Sequence, residues 1–160
     1  MKSISRRCCF TGHRPEKLNV SEEEVKKRLK IAISRAIEDG FNVFISGMAR
    51  GIDMWAAEIV LEERCLNDEI KLVCVSPYKG VHNPWNYRER ERYINILDNA
   101  DVTKFVCEHY SSRCYHVRNC YMVDHSTRVI AAYNGEKGGT KNTVNYAKSK
   151  GIEVINVLEM

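Results

Sequence analysis

The sequence lacks any apolar run approaching the roughly 20 residues that a helix needs to cross a bilayer, and charged residues occur along its whole length. No signal peptide opens it, and its seven cysteines form an odd set without the paired spacing of zinc fingers. These absences predict a cytoplasmic protein with reduced thiols and no membrane contact. The net charge of +4 comes from interspersed basic and acidic residues, which does not favour nucleic acid as a partner.

Two common nucleotide-binding motifs are also missing. A dinucleotide site needs G-x-G-x-x-G after the first strand and an acidic residue at the end of the second. Here Gly12 stands alone, and the second predicted strand ends in Ser46-Gly47. No G-x-x-x-x-G-K-[ST] occurs either, which excludes a P-loop hydrolase. The sequence therefore indicates another kind of phosphate site.

The order of predicted elements is typical of an α/β protein. Short apolar runs rich in β-branched residues and cysteine alternate with segments of helical period over 160 residues, which fit a single domain, 1–160. This pattern predicts a Rossmann-like three-layer fold with a mainly parallel sheet of about six strands. The predicted strands are 7–11, 42–46, 71–76, 101–107, 128–133 and 152–157, and the predicted helices cover 21–37, 54–65, 87–97, 118–125 and 140–150.

Three predicted strand-to-helix loops combine glycine with a hydroxyl or cationic residue: 11–14, 46–53 and 135–140. Glycine allows the backbone to approach a phosphate, and the following helix start offers unpaired N–H groups. The alternative is that the glycines form ordinary turns, that Asp53 and Thr140 are helix caps, and that Arg14 and Arg50 form surface ion pairs. The predicted ligand-binding residues are Thr11, Gly12, His13, Arg14, Ser46, Gly47, Arg50, Gly51, Asp53, Arg118, Gly138, Gly139 and Thr140.

Aromatic residues and a segment rich in cysteine and histidine are further candidates for a site. Tyr78, Trp85 and Tyr87 are candidates for stacking on a nucleobase, with a lid over the core as the alternative. Cysteine and histidine are dense between positions 107 and 125, but no C-x-x-C or H-x-x-x-H spacing occurs. We therefore expect no metal site and no cofactor.

The loops resemble those of the YpsA-like branch of the SLOG superfamily. The segments T11-G-H-R-P15, S46-G-M-A-R-G-I-D53, Arg118-Asn119 with M122-V-D124, and G138-G-T140 match that branch in order. The resemblance implies a Rossmann-like fold, a nucleotide-like small-molecule ligand and a homo-oligomer. It leads to binding or sensing of a nucleotide-derived phosphate ligand as the first hypothesis.

Two further resemblances suggest alternatives. The 46–53 segment is similar to one in DprA, which implies a single-stranded DNA adaptor. His116 to Arg118 with Gly138 to Thr140 is similar to LOG phosphoribohydrolases, which implies cleavage of an N-glycosidic bond. Those enzymes use a glutamate where Thr143 stands here, and a hydroxyl cannot stabilise the cationic sugar as a carboxylate does. The sequence thus favours binding over catalysis. The catalytic candidates are Arg118, Glu136, Asp124 and Asp53.

Overall fold

A computed structural model of the protein describes residues 6–160 and shows an α/β fold. Within these residues, six strands form one sheet in the order β4-β3-β2-β1-β5-β6, and every neighbouring pair is parallel. The Rossmann-like prediction is confirmed, and the sheet is parallel throughout. The strands are β1 (Arg7–Gly12), β2 (Val43–Ser46), β3 (Lys71–Tyr78), β4 (Val102–Cys107), β5 (Arg128–Ala132) and β6 (Glu153–Asn156). The helices are α1 (Glu22–Glu38), α2 (Ile52–Leu66), α3 (Tyr87–Asn99), α4 (Cys114–Asp124) and α5 (Gly139–Ser149).

The strand order reverses next to β1. The chain builds the sheet outward from β1 to β4, returns through α4 to place β5 on the other side of β1, and then adds β6. Loops leaving β1 and β5 therefore diverge at the carboxyl ends of adjacent strands. Open parallel sheets bind ligands in the crevice that such a reversal creates.

The four inner strands, β1, β2, β3 and β5, are largely buried on both faces because helices cover each side, whereas the edge strand β4 is mostly exposed. Alternate residues point to opposite faces, so Phe10 and Phe44 pack with α1 to α3, whereas Cys9 and Ile45 pack with α4 and α5. The short β-branched and cysteine-rich runs are typical of such strands, which have no solvent face. This packing fixes the helix starts at the carboxyl edge of the sheet.

Several element boundaries differ from the predictions by one residue or more, and three of the differences have a physical reason. Helix α4 begins at Cys114, four residues before the predicted start, and the sequence does not mark this start because Arg113 makes no capping hydrogen bond with its side chain. Helix α2 begins at Ile52 after Gly51, which also lacks a capping side chain. Strand β3 continues through Pro77 to Tyr78. The proline is tolerated because pairing with β2 ends at Cys74, and only β4 continues beside it.

Among the helices of residues 6–160, none is both long enough and apolar enough to cross a membrane.

Candidate functional site

A cleft of about 410 Å³ lies at the carboxyl edge of the sheet, beside the reversal of strand order. We call it the main cleft. Residues from β1, from the loops that precede α2 and α5, and from α4 surround it. Its lining residues are Phe10, Thr11, Gly12, His13, Arg14, Lys17, Ala49, Arg50, Asp53, Tyr115, Arg118, Asn119, Met122, Lys137, Gly138, Gly139 and Thr140.

The structure brings ten of the thirteen predicted ligand-binding residues to this cleft, since Ser46, Gly47 and Gly51 are not among the lining residues. Lys17, Asn119 and Lys137 also line it and were missed. Lys137 lies inside the third glycine-containing loop, so its charge beside Gly138 was a usable signal. Lys17 ends a short 3₁₀ turn after Arg14, and no motif marked it.

Two glycines allow the first and second loops to approach each other closely. A Cβ atom on Gly12 would lie 2.3 Å from Cγ1 of Ile52, the first residue of α2. A Cβ on Gly51 would lie 2.8 Å from ring carbons of Pro15, and Gly51 has a φ of +89°. Side chains rarely adopt that backbone conformation. Gly51 therefore allows Pro15 to pack closely against the second loop, although Gly51 itself does not line the main cleft.

Glycines also precede the two helices that begin at the main cleft. The N-caps of α2 and α5 are Gly51 and Gly138, and within the described chain no side chain caps either helix. The alternative in which Asp53 and Thr140 act as caps is therefore wrong. A helix start without a capping side chain keeps N–H donors available, and the helix dipole favours an anion there.

The second loop is held by hydrogen bonds from Ser46 and Asp53. Ser46 Oγ accepts from the Met48 N–H at 3.2 Å and donates to the Asp53 carbonyl at 2.8 Å. The Asp53 carboxylate accepts from the Ala49 N–H at 3.2 Å. These bonds hold Met48 at a φ of +61°, which is unusual for a non-glycine residue. Ser46 therefore stabilises the second loop through hydrogen bonds to its backbone and does not line the main cleft.

Asp53 and Arg118 are buried residues of opposite charge in the wall of the main cleft, 5% and 6% exposed, and within residues 6–160 they form no direct ion pair. Burial raises the pKa of Asp53, and the Arg118 charge and the Ala49 N–H oppose that rise. Arg118 donates to the Gly47 carbonyl and, at 2.7 Å, to Asn119 Oδ1. Burial lowers the pKa of Arg118, while Asp53 acts in the opposite direction. One hydrogen bond of the Arg118 guanidinium therefore holds the second loop in place.

Four other cations surround the main cleft. Arg14, Lys17, Arg50 and Lys137 are exposed, and within residues 6–160 none of them forms an ion pair. The surface-ion-pair alternative for the two arginines is therefore wrong in the described structure. Among the lining residues Asp53 supplies the one carboxylate, and Arg118 balances its charge. The main cleft consequently carries a concentrated positive charge.

His13 is a buried residue of the main cleft. It is 6% exposed, its ring lies 5.5 Å from that of Tyr133, and its Nε2 has no hydrogen-bond partner within the described residues. Burial lowers the pKa of His13, which keeps the imidazole neutral at pH 7. Its Nε2 is enclosed by protein atoms, so this nitrogen does not itself face the main cleft.

A second cavity of about 110 Å³ adjoins the main cleft, and we call it the side cavity. Met48, Pro77, Val81 and Trp85 line it alone, whereas Arg14, Ala49, Arg50, Tyr115 and Arg118 line both spaces. Of the three aromatic candidates, only Trp85 lines either space. Tyr78 packs against Tyr115 from behind, and Tyr87 is 70% exposed on α3.

Sequence comparison identifies relatives over nearly the whole chain. The model of the YspA SLOG family (YpsA) matches residues 8–156. The chain belongs to this family. UPF0398 proteins of Bacillus thuringiensis (strain Al Hakam) and Bacillus cereus (strain AH187) are each 32% identical over 153 residues, which covers 88% of this chain and 82% of theirs.

Solved structures resemble this member of the YspA SLOG family in fold. DNA processing protein A (DprA) from Streptococcus pneumoniae is 21% identical, with a TM-score of 0.66 over 94% of this chain and 49% of its own. Its Helicobacter pylori counterpart is 16% identical, with a TM-score of 0.62 over 93% and 63%. The molybdenum cofactor binding protein of Rippkaea orientalis is 17% identical, with a TM-score of 0.60 over 96% and 76%.

The hydrolase candidates do not all reach the main cleft of this SLOG protein. Thr143, at the position of the LOG glutamate, donates its hydroxyl to the Gly139 carbonyl at 2.8 Å. Asp124 accepts from Tyr146 at 2.7 Å and pairs with Lys150, and Glu136 is exposed on its loop. Neither acid lines the main cleft. Arg118 and Asp53 remain as the candidates that do.

The cysteine- and histidine-rich segment does not form a metal site in the described residues. No group of three or more potential ligands comes together there. His116 Nε2 lies 3.5 Å from Cys120 Sγ, one helical turn away, without a third partner.

Proposed function

We propose that the main cleft binds a phosphate-bearing, nucleotide-like small molecule. The observation that carries the proposal is the set of four exposed cations without ion pairs, Arg14, Lys17, Arg50 and Lys137, beside two helix starts without side-chain caps. Guanidinium groups bind phosphate oxygens through two parallel hydrogen bonds, and lysine adds a mobile point charge. An anion with several negative oxygens matches this arrangement.

The size of the main cleft favours a small molecule over a polymer. Its volume of about 410 Å³ falls within the range of small-molecule pockets, roughly 300–1,000 Å³. The structural neighbours include proteins that bind single-stranded DNA or a molybdenum cofactor, so the fold accommodates both kinds of partner. Oligonucleotide therefore belongs in the test as a competitor.

Calorimetric titration with inorganic pyrophosphate and with ADP tests the proposal. A matched pair at Gly139 is informative because its φ is ordinary and the nearest atom to an added Cβ, Asn119 Nδ2, is 3.9 Å away. Gly139→Asp places a carboxylate at the start of α5 and should weaken both ligands at least about ten-fold, whereas Gly139→Ala should bind as wild type does.

A second matched pair separates local from overall charge. Arg14→Ala should weaken ADP about ten-fold, whereas Arg88→Ala, which removes an exposed cation of α3 outside the main cleft, should not. Absence of binding to both ligands would refute the proposal. Equal effects of the two arginine variants, or displacement of ADP by a short oligothymidine at stoichiometric concentration, would do so as well.

Asp53 supports hydrolysis of an N-glycosidic bond as a second candidate function. It is a carboxylate of the main cleft, and such a group stabilises the cationic sugar while the C1′–N bond breaks. The base leaves with the bonding electrons and takes up a proton, and water supplies hydroxide to C1′. Incubation with AMP should then release adenine in wild type and not in Asp53→Asn. Intact AMP after prolonged incubation with wild type would exclude this reaction for that substrate.

A further inference from the structure

The side cavity extends the main cleft and is too small to be a site by itself. Its volume is about 110 Å³, well below the roughly 300 Å³ at which small-molecule pockets begin. Arg14, Arg50, Tyr115 and Arg118 line both spaces, so a single ligand can occupy the two together. The phosphate-binding cations therefore stand between the main cleft and a less polar extension.

Apolar side chains form the part of the side cavity that the main cleft does not share. Met48 and Val81 are 1% and 5% exposed, and Pro77 and Trp85 complete the wall. Within the described residues, no carboxylate, amide or hydroxyl of Asp, Glu, Asn, Gln, Ser or Thr lines it. Its chemistry suits an uncharged group with apolar faces.

The aromatic wall at Trp85 is held in place from behind. Its indole lies edge-on against Tyr93, with ring centroids 5.5 Å apart and planes at 89°. Tyr93 is in turn fixed by a 2.8 Å hydrogen bond with Ser76 and by the imidazole of His82, stacked 4.4 Å away. Such support keeps the indole in one orientation before any ligand arrives, which lowers the entropic cost of binding.

The other aromatic residue of the side cavity, Tyr115, also lines the main cleft beside the cations. The guanidinium of Arg118 lies 5.8 Å from the centre of its ring, and Tyr78 packs edge-on at 6.4 Å. Burial, together with the hydrogen bond that Tyr115 donates to Tyr78, raises the pKa of Tyr115 to about 12, so the phenol is neutral. Neutral aromatic rings and arginine planes are the surfaces on which nucleobases stack.

We infer that the side cavity holds the heterocyclic base of a nucleotide by stacking, with Trp85 as its main contact, while the phosphate lies in the main cleft. This inference rests on the proposed function. Stacking does not depend on the hydrogen-bonding edge of the base. Since no polar side chain other than the shared arginines and the Tyr115 phenol lines the side cavity, the site distinguishes ligands with a base from those without one.

Comparison of ribose 5-phosphate with AMP by calorimetry measures the contribution of the base directly. In wild type, AMP should bind at least about ten-fold more tightly than ribose 5-phosphate. In Trp85→Ala this ratio should fall towards one while the affinity for ribose 5-phosphate is unchanged. Trp85→Phe should keep most of the ratio. Its binding of ribose 5-phosphate should show that a protein substituted at Trp85 still folds. IMP should match AMP within about three-fold because the two bases differ at the edge and not at the face.

Tyr87→Ala is the matched control, since Tyr87 is an exposed aromatic residue two positions away that lines neither space. It should leave the ratio unchanged. The protein has two tryptophans, so Trp55→Phe makes Trp85 the sole tryptophan, whose emission on selective excitation AMP should quench and ribose 5-phosphate should not.

The outcomes separate this inference from the proposed function. If ribose 5-phosphate binds but AMP binds no more tightly, or if Trp85→Ala leaves the ratio intact, the base does not occupy the side cavity and the phosphate site stands. A difference between IMP and AMP above about ten-fold would overturn recognition by stacking. If neither compound binds and pyrophosphate does not bind, the proposed function and the inference both fail.

Discussion

Asp53 and Arg118 hold opposite charges in a place where water cannot solvate either one fully. Burial works against both charges, raising the pKa of Asp53 and lowering that of Arg118, and each charge offsets the cost for the other. Hydrogen bonds from the Ala49 N–H and to the Gly47 carbonyl complete the arrangement. Removal of one partner leaves the other buried and uncompensated.

Asp53→Ala removes the acceptor of the Ala49 N–H and leaves the buried Arg118 without a nearby opposite charge, so it should lower the free energy of unfolding by about 1–3 kcal/mol, measured by urea denaturation at pH 7. The double variant with Arg118→Met should lose less than the two single variants together, because the removed charges interact. Asp98→Ala is the control, since Asp98 is exposed on α3 and forms no ion pair within residues 6–160. Equal stability of Asp53→Ala and wild type would show that the interactions of Asp53 do not stabilise the fold.

The start of α2 meets the end of β1 at one narrow contact. Gly12 has an ordinary φ, so its requirement for glycine comes from the Ile52 side chain and not from backbone strain. Ile52 is fully enclosed in the core beneath α1 to α3. The position of the helix, and with it the second loop of the main cleft, depends on this close approach.

Gly12→Ala should lower the free energy of unfolding by about 1–3 kcal/mol, because the new methyl group overlaps Ile52 in a packed core. Gly139→Ala should change it by no more than about 0.5 kcal/mol, since the space there is open and α5 continues through it. Thermal denaturation of the two variants makes the comparison. Similar losses in both would show that loss of glycine, and not the overlap, is responsible.

Element order was predictable because each strand and helix carries its own signal. The Ser21 cap is an example, since its side chain accepts from the Glu24 N–H at 3.1 Å, as the spacing predicts. The start of α4 was not predictable, because Arg113 offers no cap. The end of β3 was not predictable either, because Pro77 by itself indicates a loop. The strand continues to Tyr78 because β4 still pairs with it after β2 has ended.

Acid stability is a property to which two histidines, the buried His13 and the partly buried His82, contribute from separate parts of the fold. His13 lies in the main cleft, and His82 lies on Tyr93 behind the side cavity; each has a ring nitrogen without a hydrogen-bond partner in the described chain. Burial lowers the pKa of both below the ordinary 6.5. The unfolded chain therefore binds these protons more readily than the folded protein does.

Stability should accordingly be complete above pH 6.5 and should decrease as the pH falls below that value towards the folded-state pKa values. His82→Phe keeps an aromatic ring on Tyr93 and removes one titrating group, so its free energy of unfolding should vary less over this interval. His109→Gln, at an exposed position, should follow wild type. Parallel curves for His82→Phe and wild type would show that His82 does not contribute.

Assembly into a homo-oligomer stays a prediction that sedimentation analysis can test.

Local patterns in the sequence were sufficient for the α/β class, the order of elements and the gathering of glycine-containing loops at one edge, because apolar period, caps and glycines act over a few neighbouring residues. Folding in three dimensions decided which residues face a ligand. It left Ser46, Gly47 and Gly51 of the second loop outside the lining of the main cleft, and it added Lys17 and Lys137 to the cations that line the cleft. It also formed the side cavity, since Met48, Val81, Trp85 and Tyr115 come from distant segments that meet only when the sheet assembles.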